Sequence, residues 1–162
     1  MKLTRIGILV LTLGSFACSS NKTGQTQTTV AQSKTSDSIV GNYVSSDYQK
    51  RKEGYDWVSV AVTKNTDSTV HVSIRSRADL KKPTCTFDAE AKRLNDTVYT
   101  AKAMDKNILF TFNSNQVTIS TEHEEDTGIL NYYCAGGGSL AGIFDKLKEP
   151  IDTVQIDKTK TK

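Results

Sequence analysis

Between Ser38 and Phe144 apolar and polar residues alternate with a period of two, broken at short polar intervals. Val58, Val60 and Val62 share one phase of the run Tyr55 to Thr63, and Val70, Val72 and Ile74 share one phase of Thr69 to Arg77. His71, Ser73, Arg75 and Arg77 take the opposite phase of that second run. Such alternation marks a half-buried strand. The polar turn Lys64-Asn65-Thr66-Asp67 then predicts a hairpin between the two. The same pattern predicts strands over Ile39 to Val44, Thr84 to Ala89, Thr97 to Ala101, Ile108 to Phe112 and Val117 to Ile119. Leu130, Tyr132 and Cys134 share a phase and predict a further strand, and Ser139 to Phe144 a last one. No amphipathic helix interrupts the series. Eight or nine short strands joined by short turns predict an all-β fold, a small antiparallel β-barrel over 39–145, with a sandwich as the alternative. Closure into an up-and-down barrel is favoured because it removes exposed edges.

The first residues follow a different rule. Lys2 and Arg5 precede the apolar run Ile6 to Leu13, and small residues Gly14, Ser15 and Ala17 lead to Cys18. A spanning helix needs about 20 apolar residues, so this run is too short to span and reads as a signal peptide, 1–17. The string Ser15-Phe16-Ala17-Cys18 resembles the lipobox of bacterial lipoproteins. The resemblance implies cleavage before Cys18 and acyl chains such as palmitate on that cysteine. Ser19 resembles the class sorted to the outer membrane, which implies a lipid-anchored body facing the periplasm. Residues 18–38 carry the lipid and then a polar stretch, with Val30 and Ala31 its apolar residues after Asn21. It cannot bury enough surface to offset its ordering entropy and reads as a flexible tether, with a reach on the order of 20–25 Å.

Charge and cysteine count sharpen this picture. The chain has 21 basic and 18 acidic residues; without Lys2 and Arg5 the balance is near neutral, which argues against a nucleic-acid partner. Cys18 taken by lipid leaves Cys85 and Cys134, an even pair that reads as a disulfide in an exported protein. Closing a loop of about 50 residues predicts roughly 4 kcal/mol of stabilisation. The segment 146–162 contains Pro150 and ends in alternating lysines; it reads as a largely disordered tail, with Asp152 to Ile156 a possible edge strand and Lys158 to Lys162 disordered.

Candidate chemistry is sparse. His71 and His123 are isolated, no metal-ligand spacing is present, and neither a metal nor a cofactor is expected. No nucleophile elbow or phosphate loop accompanies Gly136-Gly137-Gly138-Ser139, which reads as a turn beside the disulfide, with an anion-holding nest as the alternative. Glu122, Glu124, Glu125 and Asp126 form an acidic turn, either simply solvated or a contact site for a cationic protein. Tyr43, Tyr48, Tyr55 and Trp57 gather beside Arg51 and Lys52, a combination that suits a ligand-binding surface or the closure of one barrel end. Asn131-Tyr132-Tyr133-Cys134-Ala135-Gly136-Gly137 is similar to the Tyr-x-Cys-x-x-Gly string of membrane-bound lysozyme inhibitors, small lipid-anchored barrels with a disulfide. Here the string lies near the C-terminus and the family's inhibitory loop is not visible, so no inhibitory residue transfers. The expectation is a non-enzymatic envelope lipoprotein, held to the membrane through Cys18, that binds an envelope protein or a small ligand. The alternatives are an inhibitor of a lysozyme-like cell-wall hydrolase and a small-molecule calyx.

Overall fold

The computed structural model describes residues 37–79, 82 and 84–156. The predicted signal peptide 1–17, Cys18 with its lipid, the tether up to residue 36 and the end Lys158 to Lys162 lie outside the described residues.

Eight strands close into one antiparallel barrel in chain order. They are β1 (Gly41–Val44), β2 (Val58–Lys64), β3 (Thr69–Ser76), β4 (Thr86–Arg93), β5 (Val98–Ala103), β6 (Lys106–Phe112), β7 (Gln116–Thr121) and β8 (Gly142–Lys146). The valine runs set the register, with Val60 opposite Ile74 and Val62 opposite Val72. The barrel closes where Tyr43 and Val44 of β1 meet Lys146 and Asp145 of β8.

One phase of every strand faces the interior. Val60, Val62, Val70, Val72, Ile74, Phe87, Ala91, Tyr99, Ala101, Ile108, Phe110, Phe112, Val117, Ile119 and Phe144 are buried together there. Burying each large side chain contributes about 1.5–3 kcal/mol, so this single core dominates the fold's stability. The outer phase is polar: Arg75 on β3 holds Asp88 on β4 with two contacts of 2.7 and 2.9 Å, and Thr63, His71, Glu90 and Lys92 are exposed. A barrel that spans a bilayer presents the reverse, an apolar outer band. Among the described residues no helix is long and apolar enough to cross a membrane.

Because strand direction alternates, the barrel has two distinct ends. The chain enters β1 at the end that carries the β2–β3, β4–β5 and β6–β7 hairpins, and β8 leaves there. The far end carries the longer connections, 45–57, 77–85 and 122–141. Pairing between β4 and β5 is short, limited to Lys92 opposite Thr100 and Arg93 opposite Tyr99, both at the entry end.

Two expectations are corrected. Leu130 to Cys134 is not a strand: Gly128–Tyr132 forms a short helix, α1, within the far-end connection. Helical winding puts Tyr133, not Tyr132, on the side of Leu130, since i and i+3 share a face. Leu130 is buried with Leu140 at the barrel end, and the Tyr133 ring meets Phe87 edge-on at 4.8 Å. Backbone bonds from Thr86 to Tyr133 and from Ala135 to Thr84 then dock this connection on the start of β4. Cys85 and Cys134 form the predicted disulfide, with Cα atoms 4.1 Å apart. Gly138 lies against it, where a Cβ would come within 3.3 Å of Cys85 Sγ and Cys134 Cβ.

The second correction concerns the tail. Residues 147–156 are not a disordered segment, and Asp152 to Ile156 is not an edge strand. They form a strap along the outside of the barrel, ending in a 3-10 turn at Thr153–Gln155. Leu147 N donates to Asn42 O (2.8 Å), Asp152 N to the Tyr48 hydroxyl (3.0 Å) and Ala78 N to Gln155 O (2.7 Å). Leu147, Ile151 and Ile156 pack on Val44, Tyr48 and Trp57, making a second small core outside the barrel wall. Their spacing matches neither a strand nor a helix, so periodicity does not reveal it.

Candidate functional site

The five residues predicted to bind a ligand do not form one site. Tyr43 points into the barrel, fully buried, with its hydroxyl donating to Ile39 O at 2.7 Å. Burial pushes its pKa up to about 12. Tyr48 and Trp57 belong to the outer core, their rings edge-to-face at 4.7 Å. Trp57 Nε1 donates to Gln155 Oε1 at 2.7 Å. Arg51 covers that pair: its guanidinium carbon sits 4.0 Å from the Tyr48 ring centre, and Nη1 donates to Tyr48 O at 3.0 Å. Tyr55 alone remains open to solvent, 46% exposed, with Lys50 Nζ 4.9 Å from its ring centre. The chemistry that suggested a binding surface is therefore spent mostly on packing. What remains beside it is a groove of about 340 Å³ between Tyr48, Gln49 and Arg51 on one side and Lys146 of β8 with strap residues 147–150 on the other.

Side chains pack together in the barrel interior. Tyr43, Phe112 and Tyr99 fill its entry half with ring centres 5.9 and 5.6 Å apart. Val60, Ile74, Ile108 and Phe110 are completely buried beside them.

The more open surface lies at the far end. A groove of about 350 Å³ is lined by Asp105, Lys106, Glu125, Asp126, Ile129 and Tyr132. The β5–β6 hairpin supplies its first two residues, the 3-10 turn Glu124–Asp126 the next two, and α1 the last two. Lys106 is bound by the carboxylates, with Nζ 2.8 Å from Asp126 and 3.7 Å from Asp105. The hydrogen bond to Asp126 raises its pKa, so it stays charged and committed. Glu125 is left facing solvent, and Glu124 and Glu122 are also exposed. Tyr132 is 66% exposed, and its ring leans edge-on against Tyr133 at 5.3 Å. Tyr133 is itself held by Phe87 and stands next to the disulfide, so Tyr132 is a supported, exposed aromatic. Met104, 59% exposed at the tip of the neighbouring hairpin, adds apolar surface.

No protein family, curated protein or solved structure matches this chain.

The acidic turn was legible as a run of carboxylates, but its neighbours were not. Asp105 and Lys106 come from the β5–β6 hairpin and Ile129 from α1, each distant in sequence from most of the others. Tyr132 falls on the wrong face when the segment is taken as a strand. A helical i, i+3 reading of Ile129 and Tyr132 would have grouped them. The glycine string is a turn: Gly136 and Gly137 adopt φ of 63° and 79°, left-handed values that favour glycine. Arg75 and Arg77 are each held by a carboxylate, Arg75 by Asp88 at 2.7 and 2.9 Å and Arg77 by Asp79 at 2.6 and 3.0 Å. Among the described residues no group of histidine, cysteine and carboxylates is placed to hold a metal ion.

Proposed function

We propose that this chain is a lipid-anchored protein of the cell envelope, attached through Cys18 at the outer membrane and facing the periplasm. In this reading its barrel is a non-enzymatic interaction module for a basic protein partner. The observation that carries the reading is the separation of the two ends. The predicted tether joins at the entry end, while the acidic groove with exposed Tyr132 and Met104 occupies the far end. A body held this way presents the groove away from its anchor. Exposed carboxylates around a rigid aromatic suit a lysine or arginine side chain, by charge and by stacking on the ring. The polar outer wall supports tethering and not insertion. The filled interior disfavours a small-molecule calyx.

A lysozyme serves as the basic probe, because a lysozyme-like hydrolase is the partner class that the Tyr-x-Cys-x-x-Gly likeness implies. The full chain binds it with an affinity that falls as salt is raised. Glu125→Lys weakens binding at least tenfold, and Tyr132→Ala removes about 2 kcal/mol of binding, as expected of an aromatic anchor. Dose-dependent loss of lysozyme activity assigns the inhibitor; binding with an unchanged rate assigns a non-inhibitory module. Binding that ignores salt and both substitutions contradicts the proposal.

A further inference from the structure

The strap is a thin cover. Leu147, Ile151 and Ile156 are each only half-buried, yet Val44, Tyr48 and Trp57 beneath them are buried. The strap follows β8 but docks on an earlier part of the chain, with bonds to Asn42, Tyr48, Trp57 and Ala78. No cross-link holds it there; the disulfide joins Cys85 to Cys134. Residues 148–150 are exposed, and the groove of about 340 Å³ separates them from Tyr48, Gln49 and Arg51.

The groove's chemistry does not match the strap. Arg51 stands in the basic end, Lys50-Arg51-Lys52, of the 3-10 helix Ser46–Glu53. Its Nε is buried without a hydrogen-bond partner, and a guanidinium N–H can only donate. Among the described residues Asp152 alone pairs with Arg51, and at 3.8 Å from Nε it lies beyond hydrogen-bond reach. Across the groove the strap presents Lys148, a like charge, and Glu149, which forms no ion pair with Arg51. The resident segment therefore supplies the apolar contacts and the Gln155 amide but leaves the charge pairing incomplete.

We propose that the strap occupies a docking site for another chain, and that the site's occupant in a complex is an extended acidic segment of a partner protein. That segment lays apolar side chains on Tyr48 and Trp57, offers an acceptor to Trp57 Nε1 and brings a carboxylate to Arg51. Tryptophan, tyrosine and arginine are the side chains that most often carry binding energy at interfaces. Attached to β8, the strap acts at an effective concentration on the order of mM, so it shields this surface until a better-matched segment displaces it. The site is separate from the far-end groove and does not depend on it.

The test uses the full chain, with a fluorescein-labelled peptide of residues 147–156 as the probe and anisotropy as the readout. The native peptide is compared with its Lys148→Glu and Lys148→Ala forms and with a scrambled peptide of the same composition. Two full-chain variants loosen the resident strap, Gln155→Ala and Ile151→Ala, so one remains if the other fails to fold. The expected result is weak binding of the native peptide to the unaltered chain and binding at least tenfold tighter to either loosened chain. The Lys148→Glu peptide gains about a further tenfold, as expected of a hydrogen bond to a charged group. That gain falls as salt is raised and disappears when Arg51→Met is added to the loosened chain. Equal binding to unaltered and loosened chains, or binding of the scrambled peptide at the same affinity, overturns the docking site. A Lys148→Glu peptide that binds no tighter than the native one assigns the surface to the strap of a second copy and overturns the acidic partner.

Discussion

Trp57 is the chain's single tryptophan, so one perturbation tests the strap directly. Gln155→Ala removes the acceptor of the 2.7 Å bond from Trp57 Nε1. The indole N–H is then buried without a partner, which costs about 1–3 kcal/mol. The companion bond from Gln155 Nε2 to Arg51 O is long, at 3.3 Å, and adds little. Lost methylene packing adds about 0.8 kcal/mol per buried CH₂. The expected total is about 2 kcal/mol, or a melting temperature lower by on the order of 6–10 °C for a domain of this size. Thermal unfolding followed by tryptophan fluorescence reads both stability and local environment. Gln155→Glu keeps an acceptor at the same reach and recovers most of the loss. Val154→Ala, at a side chain 52% exposed, stays within about 0.5 kcal/mol. Truncation after Lys146 removes Leu147, Ile151 and Ile156 together and shifts Trp57 emission to the red. If Gln155→Ala melts with the Val154 control and the truncated chain keeps its emission, the strap does not dock as described.

Other outcomes follow from the same geometry. Tyr43 is raised by burial from the ordinary phenol value of 10 to about 12. Its neutral form is the one the fold accepts, so its contribution is intact below pH 10 and is lost as pH rises from about 10 to about 12. At roughly 1.4 kcal/mol per unit this amounts to about 2–3 kcal/mol; alkaline unfolding curves measure it, and Tyr43→Phe flattens the drop over that window. Replacing Cys85 and Cys134 together by alanine opens a loop with 49 residues of separation and lowers stability by about 4 kcal/mol in denaturant titration. Trp57→Ala costs about 3–5 kcal/mol as a large side chain leaving a packed core, whereas Tyr55→Ala stays within about 0.5 kcal/mol; equal losses would refute the division of the aromatic cluster into core and surface. Met104 holds φ of 57° in a two-residue hairpin turn, so Met104→Gly relieves backbone strain and raises stability by up to about 1 kcal/mol.

The barrel was legible because its signal is local. Two-residue alternation sets which side chains enter the core, and polar turns set where strands reverse, so the runs that form β1 to β8 needed no tertiary information. Leu130 to Cys134 misled because Leu130, Tyr132 and Cys134 satisfy a strand's period over five residues, too few to exclude a helical turn. The strap was hidden for the opposite reason. Leu147, Ile151 and Ile156 have no period, and their burial depends on Val44 and Trp57, about a hundred residues earlier. The aromatic cluster was located correctly in sequence, but its residues diverge because Tyr43 lies on the inward phase of β1 while Tyr48 and Trp57 lie outside the wall.

The proposed function turns on whether the far end, opposite the proposed tether, is the face that meets a partner. A photoreactive benzoylphenylalanine at position 132, and separately at position 114 in the entry-end turn, tests it in the native envelope. The account predicts one defined protein adduct from position 132, lost when Glu125→Lys is added, and none from position 114. Adducts from position 114 alone, or equal adducts from both that ignore Glu125→Lys, would contradict it.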